Sequence, residues 1–400
     1  YQVRLLERGT VAANVRAWGH VKMFSPFGMN RSPLGLAALA AQNPHWRPPD
    51  DDALLTGRQY AQQYLVPLAQ TDLLADCIEE QVEVVAIGRT GLLKGEQVGD
   101  AQRADVPFRV LVRRPSAGEQ IVTADVVVDA TGTYGNHGWV GEGGIPAVGE
   151  ADAAGRIAYD LPEILGRHRE DYAGRHTLLV GAGYSAATSA LALAELAVFV
   201  PGTRVTWVTR RGGRGANQGP LPRIADDPLV ERDRIACQAN ALATSGRDDF
   251  CHIAGVAVEG LQLCAGDGGL NVLLAGDAPA KSLHVDRVLA HVGYCPDTRL
   301  FSQLQVHLCY ATDGPIKLAA RLGSGSADCL DQISCGPESL VTSEPNFYVL
   351  GSKSYGRNSK FLISRGLQQI RDLFTILGGR QDLDLYGGMH HLTPKGEALV

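Results

Sequence analysis

An apolar run, Thr177–Val180, is followed by Gly181-Ala182-Gly183-Tyr184-Ser185-Ala186 and then by a long apolar stretch, Ala186–Phe199. No other feature constrains the chain as strongly. Strand, glycine turn and helix in immediate succession make the phosphate-binding corner of a parallel α/β unit. Gly181 permits the tight turn, and Gly183 lets the backbone approach a pyrophosphate. Ser185 closes the glycine loop just before the helix, whose N-terminus favours anionic phosphate. Ala186 lets the helix lie close on the strand. The bland alternative is a glycine turn with no ligand, and the flanking strand and helix weigh against it. A second strand, Arg204–Thr209, completes the front half of a βαβ unit and ends in Arg210-Arg211, with Arg214 close behind. At that place an acid accepts from the ribose 2′-hydroxyl of NAD, whereas arginines pair with the 2′-phosphate of NADP. NADPH is therefore the expected nucleotide, against the alternative of a solvated basic turn.

The start of the chain carries a second nucleotide signal. Tyr1–Glu7 reads as a strand ending in an acid before Arg8-Gly9,. An acid there closes the second strand of a dinucleotide unit, so Glu7 and its neighbour Arg8 are candidate contacts to an adenosine ribose. The first strand and its Gly-x-Gly-x-x-Gly loop are then expected about 20–25 residues before Glu7, ahead of Tyr1. An ordinary strand-end carboxylate explains Glu7 equally well.

Further along, Leu54–Ile78 has helical spacing, and strands are predicted at 82–87, 108–113 and 121–129, the last running into Ala130-Thr131-Gly132,. Gly143–Gly149 reads as a linker and the polar, proline-containing stretch Asn217–Phe250 as an irregular excursion,. Strands are expected again at 256–263, 269–274, 287–292 and 346–350, and a helix from Phe361 to Leu377.

With 400 residues, 45% of them hydrophobic and 20% charged, the chain can build two packed cores,. A formal charge of −6 offers no footprint for a nucleic-acid backbone,. No run reaches the roughly 18–20 apolar residues of a membrane span. The 8 cysteines include no Cys-x-x-Cys spacing, so neither a redox dithiol nor a zinc site is signalled,. His390-His391 also makes a poor metal pair, and no metal is expected,. The absence of a disulfide pattern makes the cytoplasm the expected compartment.

The order of Glu7 at a strand end, Ala130-Thr131-Gly132 after a strand, Gly181–Ala186, Arg210-Arg211, and Gly351 before a last helix resembles the flavin-containing and N-hydroxylating monooxygenases of the thioredoxin-reductase-like superfamily. The resemblance covers nearly the whole chain. It implies an α/β fold of two Rossmann-like domains, the NADPH domain inserted into the FAD domain. The FAD domain would occupy 1–149 and 287–386, the NADPH domain 150–286, with a tail at 387–400. Thr131 and Gly132 would lie near the flavin, Gly293-Tyr294-x-Pro296-Asp297 would mark the return into the FAD domain, and Asn346–Arg357 would close the FAD site through Gly351 and Ser352.

Three departures narrow the activity this implies. The redox cysteine pair of the thioredoxin-reductase branch is missing, the Baeyer–Villiger fingerprint is not matched in Arg156–Arg175, and Ser352-Lys353 stands where an Asp commonly faces the flavin. What remains is an FAD- and NADPH-dependent monooxygenase acting on a nitrogen or sulfur centre of a small molecule. A reductase passing electrons to a protein or quinone, and a non-catalytic nucleotide-binding regulator, stay open, and a homodimer is compatible with each. No catalytic residue is assigned. His20, Asn136 and His137 fall near expected cofactor edges, although a lone histidine is more often structural. The aromatic segment Trp18–Pro33 reads equally as a cover for the flavin or as a packed Ω-loop.

Overall fold

The computed structural model describes residues 1–211, 219–266, 268–323, 330 and 335–387. Two units emerge, Tyr1–Asn136 together with Cys295 onward, and His137–Tyr294. Arg214, Cys329 and His390-His391 lie outside the described residues.

The first unit holds β1 (Leu5–Leu6), β2 (Ile78–Glu79), β3 (Glu83–Arg89), β4 (Phe108–Arg114), β5 (Gly118–Ala124), β6 (Val127–Asp129) and β15 (Phe347–Val349). β1 pairs in parallel with β2, β15 in parallel with β6, and β3, β4 and β5 form an antiparallel meander. The strand expected over Tyr1–Glu7 is reduced to Leu5–Leu6, and that over 121–129 divides into β5 and β6, which pair with different partners. The helix expected over Leu54–Ile78 is confined to turns between Gly57 and Ala69, followed by a 3-10 turn at Ala75–Cys77 and by β2. The Thr71 hydroxyl donates to the Leu68 carbonyl and helps end it. Trp18–Pro33 is a packed segment: Phe27 is buried edge-on against Tyr64, and Arg31 pairs with Asp51 at 2.6 Å.

The meander is tied to the strand at 347–349 by charge as well as by Phe108–Phe347 packing. Glu344 is wholly buried and pairs with Arg89 at 2.8 Å and with Arg103 at 3.0 Å, both also buried. The Gln305 N–H donates to the same carboxylate at 2.7 Å, and Arg89 lies 3.6 Å from the Phe108 ring centre. Burial opposes ionisation of Glu344, but the two guanidiniums and the Gln305 N–H outweigh it and hold the carboxyl below its usual range,.

The second unit contains β7 (Ile157–Ala158), β8 (His176–Val180), β9 (Arg204–Thr209), β10 (Phe250–Ala254), β11 (Val256–Leu263), β12 (Leu270–Gly276), β13 (Ser282–Val285) and β14 (Arg287–Ala290). Five of these make an all-parallel sheet in the order β10-β9-β8-β14-β7. β8 is buried from Thr177 to Val180, as a strand covered on both faces requires,. Helix Tyr184–Phe199 follows it, rich in alanine, the best helix former, with Ala186, Ala187 and Ala190 fully buried,. An antiparallel meander, β11-β12-β13, makes the crossover to β14.

Two sequence expectations shift in this unit. The compact unit runs from His137 to Tyr294, wider than the 150–286 expected for the NADPH domain: β14 pairs with β8 and β7, and Gly138 bonds to Gly293. The excursion read at Asn217–Phe250 contains a helix, Val230–Ala243. Its buried face consists largely of Ile235, Ala236 and Ala239, too small an apolar stripe to stand out among the surrounding charges,.

Replacing Glu344 with Gln leaves two buried guanidiniums sharing no carboxylate. The E344Q variant is expected to lose about 3–5 kcal/mol of stability, read as a lower denaturant midpoint for the 1–136/295–387 unit.

Candidate functional site

In a parallel sheet the ligand crevice lies at the carboxyl ends of the strands, where the strand order reverses. In the second unit that point falls between β8 and β14. β8 ends in Gly181, whose φ is +130°, and a Cβ there would stand 2.3 Å from the His291 carbonyl oxygen. Only glycine fits. The buried Trp207 indole donates to the Gly181 carbonyl at 2.7 Å, and the Gly181 N–H donates to Val208. β9 thus holds the turn from one side while the end of β14 closes on it from the other.

Gly183 is the N-cap of helix Tyr184–Phe199 and supplies no side-chain acceptor. A Cβ at Gly183 would meet nothing within 4 Å, so the space above the helix N-terminus is open. Ser185, in the first turn, is exposed. Arg210 and Arg211 follow β9, exposed, and neither forms an ion pair among the described residues. The Thr209 hydroxyl donates to the Arg211 carbonyl at 3.1 Å and fixes the start of that turn.

Beneath the turn lies a partly buried histidine. His291 and Ser189 share a hydrogen bond of 2.8 Å, and burial pulls the imidazole pKa down to about 4. His176 and His252, in β8 and β10, are also pushed below the usual histidine range, chiefly by burial.

In the first unit, β6 ends in Asp129, which leads into Ala130-Thr131-Gly132. Asp129 accepts from the Thr131 N–H at 3.1 Å and from its hydroxyl at 2.8 Å. After β15 the chain makes a 3-10 turn, Gly351–Tyr355, from which Lys353 points inward to Asp129 at 2.6 Å and to Thr131 at 2.9 Å. Both ionic side chains are buried. The turn is held by Gln369, which accepts from the Gly351 N–H and donates to Ser354. Gly132 and Gly351 have φ near +70°. A Cβ on Gly132 would touch the Ser352 hydroxyl at 3.4 Å, and one on Gly351 would meet nothing. The two segments read from sequence as flanking a flavin are therefore neighbours. Glu7 follows β1 and accepts from the Gly9 N–H at 2.6 Å, with Arg8 exposed beside it.

Comparison with solved structures gives full-length likenesses. A bacillithiol disulfide reductase from Bacillus cereus matches 91% of this chain and 87% of its own, with a TM-score of 0.62 at 17% identity. The cadaverine monooxygenase of desferrioxamine biosynthesis from Erwinia amylovora, bound to FAD, matches 99% of this chain and 91% of its own, at 0.60 and 14%. An ornithine N-hydroxylase from a Kutzneria species, with reduced FAD, NADP+ and L-ornithine, matches 94% and 92%, at 0.58 and 15%. The chain shares its fold with these proteins over nearly its whole length. No protein-family model and no curated protein matches the sequence.

Within this fold the sequence-predicted residues fall into three places. Gly181, Gly183, Ser185, Arg210 and Arg211 gather at the carboxyl edge of the five-stranded sheet. Thr131, Gly132, Gly351 and Ser352 gather where β6 and β15 end, and Glu7 and Arg8 sit at the end of β1. Asn136 is taken up by backbone, donating to the Cys295 carbonyl at 2.9 Å. Sequence reasoning did not single out Trp207, His291, Asp129 or Gln369. The visible signal for Asp129 was a carboxylate ending a strand two residues before Thr131, opposite the inward Lys353.

Because His291 is neutral in the native state and titrates near 6.5 when unfolded, its contribution is present above pH 6.5 and is lost as pH falls toward 4,. Between pH 7 and pH 5 the loss is about 2 kcal/mol. H291Q is expected to show a flatter dependence of melting temperature on pH over this interval, checked by calorimetry at fixed ionic strength.

Proposed function

We propose that this chain is an FAD- and NADPH-dependent monooxygenase that hydroxylates a nitrogen or sulfur centre of a small molecule. The observation that carries the nucleotide half is the pair Arg210-Arg211 after the end of β9, without carboxylate partners among the described residues, one strand from the open turn at Gly183. Paired guanidiniums beside a phosphate-accepting helix N-terminus suit a 2′-phosphate, and an acid would suit a bare ribose. The flavin half is supported by the resemblance in fold to FAD-bound monooxygenases and by the fit of the residues: Gly351 leaves its backbone face open, Gly132 and Ser352 stand together, and Glu7 directly follows β1.

When bound, the two cofactors supply the hydride and oxygen chemistry. The chain's own residues then bind and orient. Arg210 and Arg211 hold the 2′-phosphate, the backbone of Gly183–Ser185 receives the pyrophosphate, and Thr131, Gly132, Gly351 and Ser352 approach the flavin. Lys353 is engaged with Asp129 and Thr131, so it stiffens the flavin-side loops and keeps Thr131 in one rotamer. We place the enzyme in the cytoplasm. Resemblance to the bacillithiol disulfide reductase favours a second reading, an NADPH-dependent reductase that passes electrons to a protein or quinone. Oxygen uptake matched by oxygenated product separates the two.

Replacing Arg210 and Arg211 together by Ala should raise the Michaelis constant for NADPH about tenfold to a hundredfold, from loss of charge-assisted contacts, and leave that for NADH nearly unchanged. Equal effects on both donors would overturn the NADPH assignment.

A further inference from the structure

The parallel sheet presents more than the glycine turn at its carboxyl edge. Val180 of β8 pairs with Ala290 of β14, and Leu289 of β14 pairs with Ala158 of β7. Tyr159, next after Ala158, therefore stands level with Ala290, two strand spacings from β8, or about 10 Å. Arg210 lies on the opposite side of β8, past the end of β9. The crevice edge thus runs from the arginines, across the glycine turn, to Tyr159.

At that far end the Tyr159 ring is stacked on His137, with centroids 3.5 Å apart and planes 7° from parallel. Trp139 meets His137 edge-on at 5.4 Å and is partly exposed. The stack is braced from behind. The Tyr159 hydroxyl donates to Glu150, a buried carboxylate that also accepts from the Val140 N–H at 3.0 Å and the Ala147 N–H at 2.7 Å. The Tyr294 hydroxyl donates to the Tyr159 carbonyl at 3.1 Å, and burial together with Glu150 keeps the Tyr159 phenol protonated. Tyr159 also packs against the unit's apolar core, which holds the stack in place from below. His137 and Tyr159 are both half-exposed.

We infer that the His137–Tyr159 stack is the shelf for the nicotinamide end of the dinucleotide, with Glu150 and Tyr294 as its positioning residues. The inference rests on the NADPH reading above. A dinucleotide whose 2′-phosphate is at Arg210-Arg211 and whose pyrophosphate is at Gly183 extends across the switch point toward β14 and β7, where a flat ring finds a flat partner.

The test compares two ligands, NADP+ and 2′,5′-ADP, the second lacking nicotinamide. Each is titrated calorimetrically into the full chain and into H137A, Y159L and Y159F. In H137A and Y159L, affinity for NADP+ should fall about tenfold while affinity for 2′,5′-ADP is retained, which also shows that the unit is folded. Y159F keeps the ring but loses its tether to Glu150, so its NADP+ affinity should fall by less than that of Y159L, about threefold, with 2′,5′-ADP unchanged. NADP+ affinity unchanged in H137A and Y159L, or a parallel loss for both ligands, overturns the shelf. Failure of 2′,5′-ADP to bind the unaltered chain overturns the NADPH reading itself, and the shelf falls with it.

Discussion

The approach of Gly181 to the His291 carbonyl is the constraint on which the second unit depends. Three strands meet there: β8 ends in the glycine, β14 ends against it, and β9 supplies the Trp207 indole that holds the glycine carbonyl. A side chain at position 181 would push β14 away from β8 and break the parallel pairing that defines the crevice. The partly buried His291 follows from the same closeness. Its backbone N–H bonds to Val180 and its imidazole turns down onto Ser189 of the helix, so the turn, helix and returning strand move as one body. A rigid turn is what an anion site needs, because the ligand then meets donors already aimed.

The first unit solves a comparable problem with charge. Lys353 and Asp129 are both buried, as are Arg89, Arg103 and Glu344. Breaking such pairs costs more than forming them gains, so they specify geometry more than they add stability. Both clusters join the β15 region to strands far earlier in the chain, Asp129 of β6 in one case and Arg89 of β3 in the other. The loops at the ends of β6 and β15 are therefore fixed by ion pairs where the second unit uses backbone contact.

Legibility in the sequence followed the range of the interactions. β9 and β11 lie where periodicity placed them, and the glycine turn is where its motif put it, because each is encoded by consecutive residues. The helix at 363–378 was readable for the same reason, its apolar stripe being strong. Elements whose form depends on distant partners were not readable. β1 is only as long as β2 allows, and the run at 121–129 divides because β5 follows the meander while β6 follows β15. The helix at 230–243 was hidden by small buried residues and by charges that pair along its own surface, such as Arg234 with Glu231. Of the candidate sites, the glycines and arginines were legible as motifs. The inward turn of Lys353 was not, since a lysine beside a serine reads as solvated until Asp129 is seen behind it.

The entry and exit of the second unit have a consequence for how such a chain can be assembled. The Cys295 N–H donates to the Asn136 carbonyl at 2.8 Å, and the Gly138 N–H donates to the Gly293 carbonyl at 2.9 Å. The points where the polypeptide leaves and re-enters the first unit are thus one hydrogen bond apart. Closing a long loop ordinarily costs entropy that grows with its length. A preformed body whose own ends already touch spares the host that cost, and to the host it is little more than a tight turn. Insertion of a whole folded unit at this place is then thermodynamically quiet.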